Sequence, residues 1–276
     1  VNAGSALALL PADWQGWVRE NVGRGCTAGS MHPLLVAAGI EPGLVARAID
    51  EARQARVRPE PDTTRHRRLS DGREVRVVMR QARPCIVLYE SLLDAAECEA
   101  LAMQAVGRLA ESTVVDDADG VARPHAYRTS AGTWFERGQT PLVATLERRI
   151  EELLHWPARH GEGLQVLRYE AGGEYRAHFD YFDPAKPGSA THLAQAGQRV
   201  ATLIIYLAEP EEGGGTAFPT LGLELRPRAG SALYFSNVDE HGQIDPATLH
   251  AGLPVTSGVK LIATKWLRAE PFDAGP

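Results

Sequence analysis

Apolar residues recur at two different periods along this chain, and the change of period divides it. In the first stretch, roughly residues 3 to 55, Trp14, Trp17 and Val18 share a helical face, with Gly23 and Gly25 as breakers. A second short segment, Pro33 to Ala38, ends at Gly39, and a third begins near Pro42 with Leu44, Val45, Ala48 and Ile49 on one side. The spacing predicts three short helices, a bundle too small to bury much surface alone. From Val75 onward the pattern becomes alternation. Residues 76–80 and 85–89 read as strands, followed by strands at 164–169, 175–180, 199–207, 223–225, 232–235 and 260–267. Two helices interrupt the series. One is expected to be capped by Ser91 and to run through Glu97 and Leu101 to Leu109; the other covers residues 140–154, with Leu142, Leu146 and Ile150 four apart. Helices first and many short strands afterwards predict an α+β domain built round a β-sandwich or jelly roll.

Composition narrows the class. With 276 residues, 44% hydrophobic and 23% charged, the chain is too apolar for wholesale disorder. The longest clean apolar run, Ala201 to Ala208, is too short to span a bilayer, so no membrane association is expected. A net charge of −6 argues against a nucleic-acid partner. Cys26, Cys85 and Cys98 are widely spaced, which disfavours a disulfide framework or a zinc knot and leads us to expect a reducing, cytoplasmic location. Ten arginines fall between residues 53 and 83, and such a run reads more readily as a solvated linker than as a basic patch. The expected organisation is a small helical region over 1–58 that docks a protein partner, an Arg-rich linker over 59–74, and the main domain over 75–276. Only three of the 29 basic residues are lysines, Lys186, Lys260 and Lys265, so each invites a question.

The segment from Tyr169 to Phe182 is the most informative. On a strand, residues two apart share a face, so His178 and Asp180 project together. An imidazole beside a carboxylate supplies two of the three ligands of a 2-His-1-carboxylate site, whose open positions suit non-haem Fe(II). A lone His-x-Asp is weak, and a second histidine is needed. His192 lies in the 184–198 loop and His241 among Asn237, Asp239 and Glu240. His250 is better placed, in a short segment that turns at Gly258 into the long strand beginning at Lys260. That strand alternates Lys260, Ile262, Thr264 and Trp266 against Leu261, Ala263, Lys265 and Leu267. A charge inside it is costly without a counter-charge, and a dicarboxylate such as 2-oxoglutarate would provide one. Phe179, Phe182, Phe218 and Tyr234 are candidates for the cavity wall.

An ordered set of motifs accompanies these residues: Arg128-Thr-Ser130-Ala-Gly, Glu162 to Tyr169, Gly172 to Tyr175, His178-Phe-Asp180, Gly197-Gln-Arg199, Gly213-Gly-Gly-Thr216, His250-Ala-Gly, and Gly258-Val-Lys260 running to Trp266. In this set the chain resembles the prolyl 4-hydroxylases among the Fe(II)/2-oxoglutarate dioxygenases, from about Pro84 to Pro271. The resemblance implies a double-stranded β-helix (jelly-roll) core with flanking helices. It implies Fe(II) on His178, Asp180 and His250, and 2-oxoglutarate on Lys260, Thr216 and Tyr169. O2 is the second co-substrate and L-ascorbate an optional reductant. Arg199 and Trp266 match positions at the reacting groove; with Tyr175 they face a proline-containing peptide or protein, and Glu162, Arg128 and Ser130 match the same groove. Gly215 replaces the usual acidic residue before Thr216, and Leu253 stands where a cysteine is frequent; neither is a ligand.

Other readings stay in view. The same chemistry could act on a free amino acid or small metabolite, or the pocket could belong to a non-catalytic ligand-sensing module. A zinc hydrolase fits the ligand types but gives Lys260 no role and offers no obvious general base. The 183–198 loop, with Pro184, Pro187 and Gly188, is expected to be irregular and to close over an extended substrate.

Overall fold

A computed structural model describes residues 5–23, 26–54, 57–115, 121–124 and 129–273. Two compact units are present, one comprising residues 1–57 with 240–243 and the other residues 58–239 with 244–276.

The first unit contains helices α1 (Ala12–Gly23), α2 (Ala28–Ala37) and α3 (Pro42–Gln54). Leu10, Val18, Met31, Leu35, Val45, Ala48 and Ile49 form its buried core, and Trp14 packs edge-on against Trp17 with ring centroids 5.3 Å apart. The second helix begins five residues before Pro33, where the sequence pattern had suggested a start. The Thr27 hydroxyl accepts the Ser30 N–H at 3.2 Å, and this cap sets the helix start ahead of the proline.

The second unit is built on two antiparallel sheets. In the nine-stranded sheet the order is His66–Arg68, Glu74–Gln81, Ile86–Glu90, Ala232–Ser236, Arg199–Ala208, Lys260–Arg268, Gly161–Tyr169, Ala131–Phe135 and Ala110–Glu111. The four-stranded sheet runs Leu223–Leu225, Thr216–Phe218, His250–Gly252 and Tyr175–His178. A layer containing Leu167, Tyr169, Ile204, Tyr206, Phe218, Phe235 and Ile262 joins the inner faces of the two sheets, the jelly-roll arrangement. On its other face the large sheet carries Leu164, Val166, Leu203, Ile205 and Ala263 against α4 (Ala95–Val106) and α5 (Pro141–Leu154). Its central strands are therefore buried on both faces, which is why residues 200–207 read as a nearly continuous apolar run in which Thr202 is the polar aliphatic exception.

Three local expectations are corrected. Asp94 caps α4 instead of Ser91: its carboxylate accepts the Glu97 N–H, and the Glu97 carboxylate accepts the Asp94 N–H in return. Residues 59–74 are not a solvated linker. His66–Arg68 pairs with Arg76–Glu74, the Asp62 N–H donates to the Leu153 carbonyl at 2.8 Å, and Arg67 and Arg73 meet Asp62, Glu152, Asp94 and Glu97. The arginines of this stretch are thus partly matched by carboxylates distant in sequence. Finally, the 183–198 segment is not wholly irregular, because α6 (Ser189–Ala196) forms within it.

Candidate active site

His178 ends one strand of the smaller sheet and His250 begins its neighbour, and the two are direct partners in the antiparallel register. Asp180 follows two residues after His178, just beyond the strand end. Carboxylate oxygens of Asp180 lie 3.7 Å from His178 Nε2 and 3.6 Å from His250 Nε2, and one ligand atom from each residue fits within a 4.8 Å group. Both imidazoles are oriented from behind: His178 Nδ1 lies 2.8 Å from the Arg176 carbonyl oxygen and His250 Nδ1 lies 3.0 Å from that of Thr248. A carbonyl only accepts, so each Nδ1 presents a proton to it, and each Nε2 is the ring nitrogen turned to the Asp180 side. Burial works to raise the Asp180 pKa, but the imidazoles of His250 and His178, Arg199 and the Thr202 hydroxyl outweigh it and hold the carboxyl below its ordinary value. Two imidazole nitrogens and an ionised carboxylate oxygen on one side of a cavity are a fitting donor set for a divalent transition metal.

The same cavity reaches Lys260. Its lining includes Tyr169, Tyr175, Thr216, Ile262 and Thr264 besides the three candidate ligands. Lys260 is 2% exposed and sits opposite Tyr169 in the sheet register. Its ammonium lies 5.6 Å from the Tyr169 ring centroid and 6.0 Å from that of Tyr206, and the Tyr206 hydroxyl bonds to Thr216 Oγ1 at 2.8 Å. No carboxylate among the described residues pairs with Lys260, and burial pushes its ammonium down to about 8. Lys265, one strand face away, is neutralised by Glu147. The pocket therefore offers an N,O,N donor triangle and, within the same cavity, an unneutralised cation.

Comparison with known proteins agrees with this geometry. The family model for the 2OG-Fe(II) oxygenase superfamily matches residues 164–268. Probable prolyl 4-hydroxylase 3 of Arabidopsis thaliana is 38% identical over 208 residues, which cover 68% of this chain and 71% of that protein. The chain belongs to the prolyl 4-hydroxylase family. Prolyl 4-hydroxylase 2 of the same plant is 35% identical over 213 residues, covering 70% of each protein. Among solved structures, a viral collagen prolyl hydroxylase from Paramecium Bursaria Chlorella virus-1, in complex with 2OG, aligns with a TM-score of 0.52 and 32% identity, covering 66% of this chain and 95% of that one. As a member of this family the chain is a 2-oxoglutarate-dependent dioxygenase that uses Fe(II) and 2-oxoglutarate.

The remaining expected site residues fall in different places. Tyr175 stacks on His178, ring centroids 3.6 Å apart, and lines the cavity. The Arg199 guanidinium lies 3.9 Å over the Trp266 ring, and Trp266 in turn packs on the half-exposed Trp134 at 5.6 Å. Glu162, matched to the groove in sequence, stands as the counter-ion of two arginines. It is buried and bidentate to Arg199, at 2.7 and 2.8 Å, and it also accepts from Arg268 at 3.1 Å. The Arg199 guanidinium, expected at the peptide groove, is thus largely engaged by Glu162. Ser130 is buried and donates to Ser112 Oγ at 2.9 Å, and Arg128 lies outside the described residues. Of the suggested wall aromatics, Phe218 packs near His250 at 5.9 Å and Phe182 lies under Arg199 at 4.8 Å. Tyr234 belongs to the layer under the helices and Phe179 is exposed. Sequence reasoning passed over Thr202, Tyr206 and Asn237. Thr202 carried a readable signal, since it is the one hydroxyl-bearing aliphatic side chain in the apolar run from Val200 to Leu207. No described helix is long and apolar enough to cross a membrane.

Proposed function

We propose that this chain hydroxylates a prolyl residue within a peptide or protein, with Fe(II) held by His178, Asp180 and His250 and 2-oxoglutarate anchored through Lys260. The observation that carries the reading is one cavity holding both an N,O,N donor triangle and a buried lysine without a carboxylate partner among the described residues. In this reading Lys260 and Thr216 take the distal carboxylate of 2-oxoglutarate and Tyr169 contacts the co-substrate beside them. When bound, iron and 2-oxoglutarate supply the oxidation, in which O2 is consumed, 2-oxoglutarate becomes succinate and CO2, and a substrate C–H gains a hydroxyl. The chain's own residues bind, orient and exclude water. Leu167, Ile204 and Ile262 line the cavity between the polar groups and keep it apolar there, which strengthens every charge interaction inside it. L-ascorbate enters only as an optional reductant.

Support for a prolyl substrate comes from the names of the relatives; the indole of Trp266, under Arg199 and beside the half-exposed Trp134, is proposed as the flat apolar surface that takes the pyrrolidine ring. Arg199 holds that indole in place, and Tyr175 completes the groove. The helices of residues 1–57 are proposed to recruit a protein partner, and the unpaired thiols of Cys26, Cys85 and Cys98 fit a cytoplasmic location. The deciding experiment is succinate release from 2-oxoglutarate with Fe(II), screened over proline-containing peptides and free proline. Peptide-dependent succinate with one oxygen added to the peptide is expected. Free proline as the sole accepted substrate overturns the peptide reading, and His178→Ala and Asp180→Ala proteins that bind Fe(II) like the parent overturn the metal assignment.

A further inference from the structure

Asp180 is the one candidate ligand that stands outside regular structure, since its strand ends at His178. Its carboxylate therefore needs an orienting group, and the large sheet supplies one. The Thr202 hydroxyl lies 2.8 Å from Asp180 Oδ2, and the Asn237 side-chain nitrogen lies 3.1 Å from Thr202 Oγ1. Thr202 and Asn237 are both fully buried. The direction of this chain follows from chemistry. An ionised carboxylate only accepts, so the single Thr202 proton goes to Asp180; the Thr202 oxygen then accepts, so the amide must present its NH2. Asn237 Oδ1 is left buried with no hydrogen-bond partner among the described residues, a cost that an apolar side chain of similar size would avoid. The backbone of the residue is held separately, its N–H donating to the Val200 carbonyl at 2.8 Å. Packing alone thus gives no reason for an amide at this position.

We infer that Asn237 and Thr202 are positioning residues that fix Asp180 as a one-oxygen ligand, with Oδ2 tied to the sheet and Oδ1 left for the metal. This deepens the proposed metal site and rests on it. A carboxylate free to turn could occupy two coordination positions, and the co-substrates need the open ones. Because Asn237 can only donate here, Thr202 is an obligate donor to Asp180, and a hydroxyl without that neighbour could turn elsewhere.

The test is anaerobic Mn(II) titration of the full chain, read against the parent, Thr202→Ser, Thr202→Val, Asn237→Leu and His178→Ala. Thr202→Val is expected to weaken Mn(II) about 10- to 100-fold, as loss of an outer-shell partner does, whereas Thr202→Ser stays close to the parent. Asn237→Leu is expected to weaken Mn(II) as well, and the Thr202→Val/Asn237→Leu double variant to be no weaker than Thr202→Val, since the two act as one chain. Melting of each metal-free protein is measured in parallel. Should Thr202→Val fail to fold, the comparison of Asn237→Leu with the parent decides instead. Parent-like Mn(II) affinity in Thr202→Val, or in Asn237→Leu where that comparison decides, overturns the inference while leaving the metal site intact if His178→Ala is impaired. Parent-like affinity in His178→Ala overturns the metal site itself.

Discussion

Lys260 and Lys265 lie on one strand five residues apart and meet opposite electrostatic fates. Lys265 faces the helices and is neutralised by Glu147, whereas Lys260 faces the cavity, where burial pushes its ammonium down to about 8. Tyr169 and Tyr206 are the ring neighbours of that ammonium, and burial pushes the Tyr206 phenol up to about 12, so it stays neutral in the range where Lys260 titrates. Below pH 8 the lysine is a cation ready for a carboxylate. Above it the cation is lost, so kcat/KM for 2-oxoglutarate should fall as pH rises through about 8, a profile that reports the free enzyme. Lys260→Ala should raise the KM for 2-oxoglutarate by orders of magnitude, on the scale of about 2–5 kcal/mol for losing one member of a buried charge pair, while Mn(II) still binds. An unchanged KM would place the dicarboxylate elsewhere. Trp266 and Arg199 make a second residue-level test, and the structure separates them. Trp266→Ala should depress peptide hydroxylation far more than peptide-independent 2-oxoglutarate decarboxylation. Arg199→Ala also strips a partner from buried Glu162, which keeps only Arg268, and so should lower the melting temperature and both activities together. A Trp266→Ala protein losing both activities equally would make the indole a fold residue.

At the scale of elements, the helix ends show what sequence can and cannot reveal. The start of α5 was legible because its signals are adjacent in sequence: Thr140 accepts the Val143 N–H at 3.2 Å and Pro141 follows at the first helical position. Thr140→Ala should cost about 1 kcal/mol, read as a lower urea midpoint at unchanged slope. The cap of α4 was misjudged because Ser91 and Asp94 are both plausible caps, and only the reciprocal bond with Glu97 selects the second. The same contrast governs the site. His178 and Asp180 were legible because two-residue periodicity is local, and Lys260 because a cation interrupts an apolar strand. Glu162 and Ser130 were not, since their partners Arg199 and Ser112 are 37 and 18 residues away, and nothing local distinguishes a buried counter-ion from a groove residue. Thr202 escaped notice for a related reason: its hydroxyl gains meaning only once the fold brings Asp180 within 2.8 Å.

For the whole molecule, the question is where the catalytic unit begins. The change from helical to alternating pattern near Val75 places the start of the main domain at that residue. Hydrogen bonding puts the boundary earlier. The Glu60 and Asp62 N–H groups donate to the carbonyls of Leu154 and Leu153, satisfying the last turn of α5, and the Tyr89 hydroxyl donates to the Asp62 carbonyl at 2.9 Å. His66–Arg68 is the edge strand beside Glu74–Gln81. Arg58 also donates to the Val238 carbonyl at 2.9 Å, inside the same unit. A chain beginning at Arg58 should therefore retain Mn(II) binding and peptide-independent 2-oxoglutarate turnover. One beginning at Arg73 removes the edge strand and leaves the end of α5 without those donors, so its melting temperature should fall by several degrees or more relative to the Arg58 start. The two truncations measured side by side separate the alternatives. Equal melting temperatures would return residues 59–72 to the status of a linker, and loss of Mn(II) binding in the Arg58 chain would make the N-terminal helices part of the catalytic unit.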